Sequence, residues 1–323
     1  MDVLAEIRKP VEKELQRFDT LYKITLQHPN HLLQLALNHV RARKGKLMRP
    51  ILTLLSAKRY GQITDTVLHA AVSFEMLHNA SLIHDDVVDE SDRRRAHKSI
   101  NSLFNNKIAV LFGDYLLSTS LHHAASTHNI NVVAQVAQLG QTLSDGELLQ
   151  LSNLSSDEIS EKQCFDVIQG KTAALFSICA SIGALLAGAS PDETNKMRRF
   201  GEAVGHCFQI RDDVFDYYND NIGKPTGKDM KEGKLTLPVV HAVLQSTEDK
   251  WLKLAHKVRA RQANDEEIAS LVQFTKATDG IKYAYAKMDE IRTRALTLLQ
   301  PQINDEIDNS LHLYLDFVLQ RNW

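Results

Sequence analysis

Two short segments concentrate the titratable chemistry of this chain: LIHDDVVDESD and QIRDDVFDYYND. Each sets an Asp-Asp-x-x-Asp cluster after an apolar run, at Asp85, Asp86 and Asp89 and again at Asp212, Asp213 and Asp216. On a helix the first and last Asp of a cluster are four apart and share a face, where like charges destabilise by roughly 0.2–0.5 kcal/mol. Asp is also a poor residue for a helix interior. Repeating this arrangement with the same internal spacing calls for bound cations. Carboxylates alone are hard oxygen ligands suited to Mg²⁺, which keeps waters and completes its shell with phosphate oxygens. Two such clusters are expected to hold several ions against one polyphosphate.

Phosphate also needs cationic donors, and they follow the clusters in sequence. Lys46 and Arg49 in GKLMRP are read as three apart on one helical face; Arg93, Arg94 and Arg95 follow the first cluster, and Lys224, Lys228 and Lys234 the second. Arg supplies bidentate contacts to phosphate oxygens and Lys a compact point charge. Such side chains on a neutral protein are ordinarily solvated surface; their placement beside the carboxylates is what singles them out.

The elements that must position these groups read as helices. The 323 residues hold only 14 Gly and 7 Pro, with no proline between Pro50 and Pro191, which permits long uninterrupted helices. Apolar residues recur at helical spacing through Val67, Ala71, Phe74, Leu77 and Ser81, with Thr64 and Asp65 as N-cap candidates, straight into His84-Asp85-Asp86. A second stripe runs Ile281, Tyr285, Met288, Ile291, Ala295, Leu298, and a last apolar segment begins at Leu311. No alternating strand pattern of useful length appears. Loops are expected at Gln27 to Asn30, Gly188 to Glu193, Asn219 to Lys234 and Gln245 to Lys250. The reading is all-α: a single large helical domain over residues 1–323, with helices around a central cavity.

Composition excludes several classes. Lys and Arg number 38 against 40 for Asp and Glu, so no global basic field recruits nucleic acid. Cys164, Cys179 and Cys207 are odd in number and form no Cys-x-x-Cys pair, which fits a reducing, cytoplasmic setting. MDVLAEIRKPVEKEL is charged throughout and reads as no signal peptide. The apolar stretch from Thr172 to Gly188 is broken by Ser177, Cys179 and Ser181 and falls short of the ~20 residues a bilayer needs, so it is expected as a buried helix.

The ordered run GKLMRP, LHNASLIHDDVVDESDRRR, LFGDYLLS, GKTAALF, FQIRDDVFDYY and GKPTGKDMKEGKLTLP resembles the trans-prenyltransferases, or (E)-polyprenyl diphosphate synthases, in particular their longer-chain bacterial members. The resemblance implies Mg²⁺-dependent ionisation of an allylic diphosphate, attack by isopentenyl diphosphate and loss of a proton, with two or three Mg²⁺ per active site. It implies Lys46, Arg49, His78 and Arg95 in the isopentenyl diphosphate pocket, and Arg94, Lys171, Thr172, Gln209 and Lys228 on the allylic diphosphate, with Lys234 a further contact. Asp85, Asp89 and Asp212 match direct metal ligands; Asp86, Asp213 and Asp216 match supporting or shared positions. The sequence departs where the family has Gly after its Arg pair: here it is Ala96, and an extra Arg93 precedes. A homodimer is implied, and a lipid-like product implies passing contact with a membrane surface.

Chain growth needs an apolar tunnel below the metals, lined by the helix that precedes Asp85. Stepping back, Ser81 and Ala80 come first, then Leu77 and Met76, then Phe74 about 16 Å deep at 1.5 Å per residue. In the family, bulky aromatics at the first level stop growth early. Small Ala80 and Ser81 therefore imply a product longer than twenty carbons, its floor near Phe74 or Met76 or on the segment from Leu111 to His123. A terpene cyclase of the same type would have no use for Lys46, Arg49, His78 and Arg95; an HD-type metal phosphohydrolase built on His84-Asp85 would leave the second cluster unexplained; a noncatalytic partner subunit would be expected to lose its acidic clusters.

Overall fold

The computed structural model describes residues 2–42, 45–94, 97–218 and 226–320. The all-α expectation holds. In chain order the helices are α1 (Val3–Arg8), α2 (Glu12–Thr25), α3 (His31–Ala42), α4 (Met48–Tyr60), α5 (Asp65–Val88), α6 (Ile100–Leu103), α7 (Asn106–Ser126), α8 (Ile130–Asn153), α9 (Glu161–Ile168) and α10 (Ala174–Leu186). They continue as α11 (Pro191–Phe215), α12 (Lys228–Lys231), α13 (Leu237–Leu244), α14 (Asp249–Arg259), α15 (Asp265–Ala277), α16 (Gly280–Thr297) and α17 (Asp305–Gln320). Among the described residues the strands are a two-residue antiparallel pair, β1 (Arg93–Arg94) with β2 (His97–Lys98). The loop at 27–30 falls where expected, whereas those expected at 188–193 and 245–250 end short, because α11 already begins at Pro191 and α14 at Asp249. Residues 219–225 of the third expected loop lie outside the described residues, and residues 228–231 of it form the single turn α12, held by local hydrogen bonds that hydrophobic periodicity does not report.

Contacts cluster into two compact units. The first comprises Met1–Gln141, Ile178–Gly201 and Pro301–Leu311. Its most extensive packing is α5 on α7. Small residues let the two helices meet: a Cβ at Gly113 would overlap the His84 ring, and Ser73 and Ser120 exchange hydroxyl-to-carbonyl hydrogen bonds, 2.8 Å each way. Phe74 and Met76 are fully buried in this seam's helix. Arg59, wholly buried, ties the unit together: it donates to Asp308 (2.5 Å) and the Pro301 carbonyl (3.2 Å), beside Glu193 (3.4 Å).

The second unit comprises Thr142–Ser177, Glu202–Gln300 and His312–Trp323. Here α13 packs on α16, and Glu161 bridges the stacked rings of His241 and Tyr283, accepting from the Tyr283 hydroxyl at 2.7 Å. Asn264 and Glu267 close a reciprocal capping box at the start of α15. The expected stripe on α16 is corrected at Tyr285, which is 41% exposed and turns its hydroxyl to Arg211; Ala284 takes its place in the core. The expected shortfall in length does not hold, since one helical run among the described residues, Glu161–Leu186, is long and apolar enough to cross a bilayer; 67% of its apolar 18-residue window is buried, as expected for a core helix.

Candidate active site

The two acidic clusters occupy the same local position. In the first unit α5 ends at Val88, so Asp85 and Asp86 sit in its last turn and Asp89 is the first residue beyond, its N–H donating to the Asp85 carbonyl at 2.8 Å. In the second unit α11 ends at Phe215, so Asp212 and Asp213 sit in its last turn and Asp216 is the first residue beyond. A helix C-terminus carries the negative end of the macrodipole, which disfavours carboxylates there. Both clusters therefore stand in fields that only cations relieve.

Each cluster divides its carboxylates the same way. The middle Asp is buried, Asp86 at 4% and Asp213 at 6% exposed, whereas Asp85, Asp212 and Asp216 are half-buried and Asp89 is exposed. Asp86 accepts from Arg94 Nε at 2.7 Å. Arg94, expected against substrate, thus spends one donor on the cluster and keeps the others of its five for a ligand. Asp213 accepts from Gln209 Nε2 at 2.9 Å, and Gln209 Oε1 in turn accepts from the Thr172 hydroxyl at 2.7 Å. Three residues singled out by sequence are joined in one relay. Thr172 reaches it from a single π-helical turn, Gln169–Ala173, a distortion that frequently marks functional sites.

Asp216 uses both oxygens on the start of α12, accepting from the Lys228 N–H (3.0 Å) and the Asp229 N–H (3.1 Å). This sets Asp229 against the cluster. Burial raises the Asp229 pKa to about 7, helped by the Asp216 charge. Burial and the neighbouring carboxylates also hold Asp213 and Asp216 above the usual carboxylate range. Asp213 and Asp229 line a cavity of ≈ 190 Å³ with Lys171, Gln209, Lys234 and Arg259. Lys171 pairs with Glu147 at 2.6 Å, and Glu232 pairs with both Lys234 (2.6 Å) and Lys228 (3.3 Å).

Several expected residues stand differently. α4 starts at Met48, preceded by Leu47 in a left-handed conformation (φ 57°), so Lys46 lies in the loop and not on a shared helical face with Arg49. Arg8 holds that loop by donating to the Lys46 carbonyl at 2.7 Å. His78 is half-buried on α5. Leu77 (3%) and Ala80 (2%) are buried, and half-buried Ser81 donates its hydroxyl to the His78 carbonyl at 3.0 Å. Arg95 and Lys224 lie outside the described residues. His84 turns toward α7, 3.4 Å from Asp114, and so does not form an HD pair with Asp85. Among the described residues no three His, Cys, Asp or Glu side chains close into a metal cage. The oxygen-only donors still suit Mg²⁺, which is bound through one or two carboxylates with the remainder supplied by water and phosphate. Sequence reading missed Asp229, Glu147 and Glu232; for Glu232 the available signal was its position four residues after Lys228, while Glu147 had none.

A family model described as "Polyprenyl synthetase" matches residues 30–275. The chain is 32% identical over 259 residues to an octaprenyl diphosphate synthase of Escherichia coli, covering 79% of this chain and 80% of that protein. Its fold is similar to the crystal structure of a geranylgeranyl pyrophosphate synthase from Bacteroides thetaiotaomicron, with 45% identity, TM-score 0.88 and coverage of 99% and 100%. It is also similar to a Caulobacter crescentus polyprenyl synthase complexed with calcium and isoprenyl diphosphate, at 25% identity, TM-score 0.90 and coverage of 99% and 98%.

Proposed function

This chain belongs to the polyprenyl synthetase family, and from that premise we propose how its own residues run a head-to-tail condensation of isopentenyl diphosphate onto an allylic diphosphate. The observation that carries the reading is the repeated division of burial, in which each helix end buries its middle Asp and leaves Asp85 and Asp89, and Asp212, more exposed. Asp85 and Asp89 in the first cluster and Asp212 in the second would hold Mg²⁺, with Asp86 and Asp213 fixing them from behind and Asp216 fixing α12. Bound Mg²⁺ supplies charge neutralisation for the departing diphosphate.

The remaining work falls to side chains. Lys171, Lys228 and the unused donors of Arg94 neutralise the allylic diphosphate as its negative charge grows, and fixed cations in a water-poor site are effective at this. Thr172 and Gln209, oriented by their relay to Asp213, present polar atoms to the developing allylic cation. Lys46, Arg49, His78 and Arg95 bind isopentenyl diphosphate, and Lys234 adds a further contact. Buried Phe74, Met76, Leu77 and Ala80, with Ser81, shield the growing chain from water. No side-chain nucleophile is required, and the diphosphate released is the proton acceptor. A cyclase has no use for the second diphosphate pocket.

The relatives are named for products of different lengths, geranylgeranyl in the 45% identical structure and octaprenyl in the Escherichia coli protein. Small Ala80 and Ser81 favour a product beyond twenty carbons. We further propose that residues 1–323 act as one polyprenyl synthase domain, in a cytoplasmic homodimer packed through α7, where Val110, Leu111 and Leu121 are 41%, 61% and 38% exposed. The apolar product would bring the enzyme into passing contact with membrane surfaces. The test incubates purified protein with labelled isopentenyl diphosphate, Mg²⁺ and each of the ten-, fifteen- and twenty-carbon allylic diphosphates, and sizes the products by mass spectrometry. A ladder beyond twenty carbons, abolished by chelator and by Asp85→Ala, supports the whole reading; one ending at twenty removes the length assignment alone; no extension removes the function.

A further inference from the structure

Lys171, Lys228 and Lys234, assigned above to diphosphate, each pair with a glutamate that belongs to neither Asp cluster. Lys171 Nζ lies 2.6 Å from Glu147 Oε1, the two side chains 27% and 25% exposed. Glu232 serves two lysines at once, Oε2 at 2.6 Å from Lys234 and Oε1 at 3.3 Å from Lys228. We propose that Glu147 and Glu232 are positioning residues that act as exchangeable counter-ions: they hold these lysines ready in the substrate-free enzyme and yield them to a diphosphate oxygen. The inference rests on the prenyl-transfer reading and deepens it.

Backbone packing fixes the first pair. Gly146 and Gly170 touch so closely that a Cβ on Gly146 would fall 2.8 Å from the Gly170 carbonyl carbon and 2.9 Å from the Lys171 nitrogen. Glu147 and Lys171 are thus the next residues along two backbones in contact, so their side chains start from neighbouring positions. The second set is fixed by helical spacing, since Lys228 and Glu232 are four apart across α12 and Lys234 follows two residues later. Partly exposed ion pairs of this kind add little to stability. Lys171 and Lys234 line one cavity with Asp213 and Asp229, which gives their pairs a different use.

The electrostatic consequence has a definite sign. A lysine ammonium has three donors, so a diphosphate oxygen can join or displace the glutamate. The displaced carboxylate stays close and repels the diphosphate, weakening the ground-state complex. The same repulsion favours departure of inorganic diphosphate after each addition. Counter-ion exchange therefore predicts that neutralising either glutamate tightens diphosphate binding, whereas a purely structural bridge predicts no change or a loss.

The experiment titrates inorganic diphosphate with Mg²⁺ into the full-length protein by calorimetry, for the parent, Glu147→Gln and Glu232→Gln. Each variant is expected to bind roughly two- to five-fold more tightly, the coupling typical of a partly exposed pair. The gain should shrink at high salt. In a Lys171→Met background, Glu147→Gln should lose its effect, because the pair it acts through is gone. In turnover, KM for the allylic diphosphate and kcat should both fall, as diphosphate leaves more slowly. Unchanged or weaker binding in both variants, with or without a lower melting temperature, overturns the proposal. Binding is read without catalysis, so a parent protein that binds diphosphate but extends no primer would refute the prenyl-transfer reading separately.

Discussion

Replacing Asp229 by Asn removes a carboxylate whose pKa is raised to about 7, first by burial and then by the Asp216 charge. An unfolded Asp titrates near its ordinary value, 3.8. Between those two values the folded protein binds more protons at this site than the unfolded chain, so the contribution to stability falls as pH rises toward and through 7. Integrating a single site with these two values gives about 1.4 kcal/mol lost between pH 6 and pH 8. In a chain of this size that corresponds to roughly 2–4 °C in melting temperature. Other groups oppose the trend: burial lowers the pKa of His69, His123 and His206, so protonating the unfolded chain destabilises the fold as pH falls. The informative quantity is therefore the difference between parent and Asp229→Asn, in which those histidines cancel. Measured by scanning calorimetry without Mg²⁺, the variant should gain on the parent by about 1.4 kcal/mol from pH 6 to pH 8. Saturating Mg²⁺ with diphosphate should flatten the difference, because a cation at the cluster relieves the repulsion that raises the pKa. A difference constant over that range would refute the buried, charge-crowded placement of Asp229.

Arg59→Met leaves Asp308 buried and without its guanidinium, and should cost about 3–5 kcal/mol in denaturant unfolding while the diphosphate-binding residues stay in place. Gly146→Ala drives a Cβ to 2.8 Å from the Gly170 backbone and must shift the π-helical turn that carries Lys171 and Thr172. It should lower kcat by roughly 100-fold with circular dichroism unchanged, the scale expected when catalytic groups move by about 1 Å. Ala80→Tyr should shorten the longest product by several isoprene units at an unchanged first condensation rate; an unaltered product ladder would remove α5 from the tunnel wall.

How far the sequence could be read depends on whether a feature is local and repetitive. Long helices were legible because proline is absent from Pro50 to Pro191 and apolar residues recur at helical spacing through α5. Both Asp clusters were legible for the same reason, as short strings with one internal spacing. Lys46 was misread because nothing in GKLMRP announces the left-handed Leu47 that delays the start of α4. Tyr285 was misread as core because periodicity records an aromatic ring but not the guanidinium of Arg211 lying 5.2 Å from it. Glu147 was invisible because its role depends on Gly146 meeting Gly170, a contact between backbones distant in sequence.

The position of the clusters argues for cation binding more strongly than their composition does. A carboxylate gains at a helix N-terminus and loses at a C-terminus. This chain sets three Asp residues at the C-terminal end of α5 and three more at that of α11, with the helix stopping one residue before the third Asp in both. It then buries the middle Asp of each and secures it with a neutral or cationic donor, Gln209 in one case and Arg94 in the other. Asp229 adds a further buried carboxylate to the second cluster. Left alone, each of these choices destabilises the fold. They become consistent once a divalent ion neutralises the outer carboxylates, because the dipole, the crowding and the burial then all strengthen the hold on the ion. Neutralising Asp213 should accordingly raise the stability of the metal-free protein and weaken its affinity for Mg²⁺ with diphosphate in the same variant. Thermal melts paired with calorimetric titrations would detect the coupling, and a variant that lost stability and kept its affinity would contradict it.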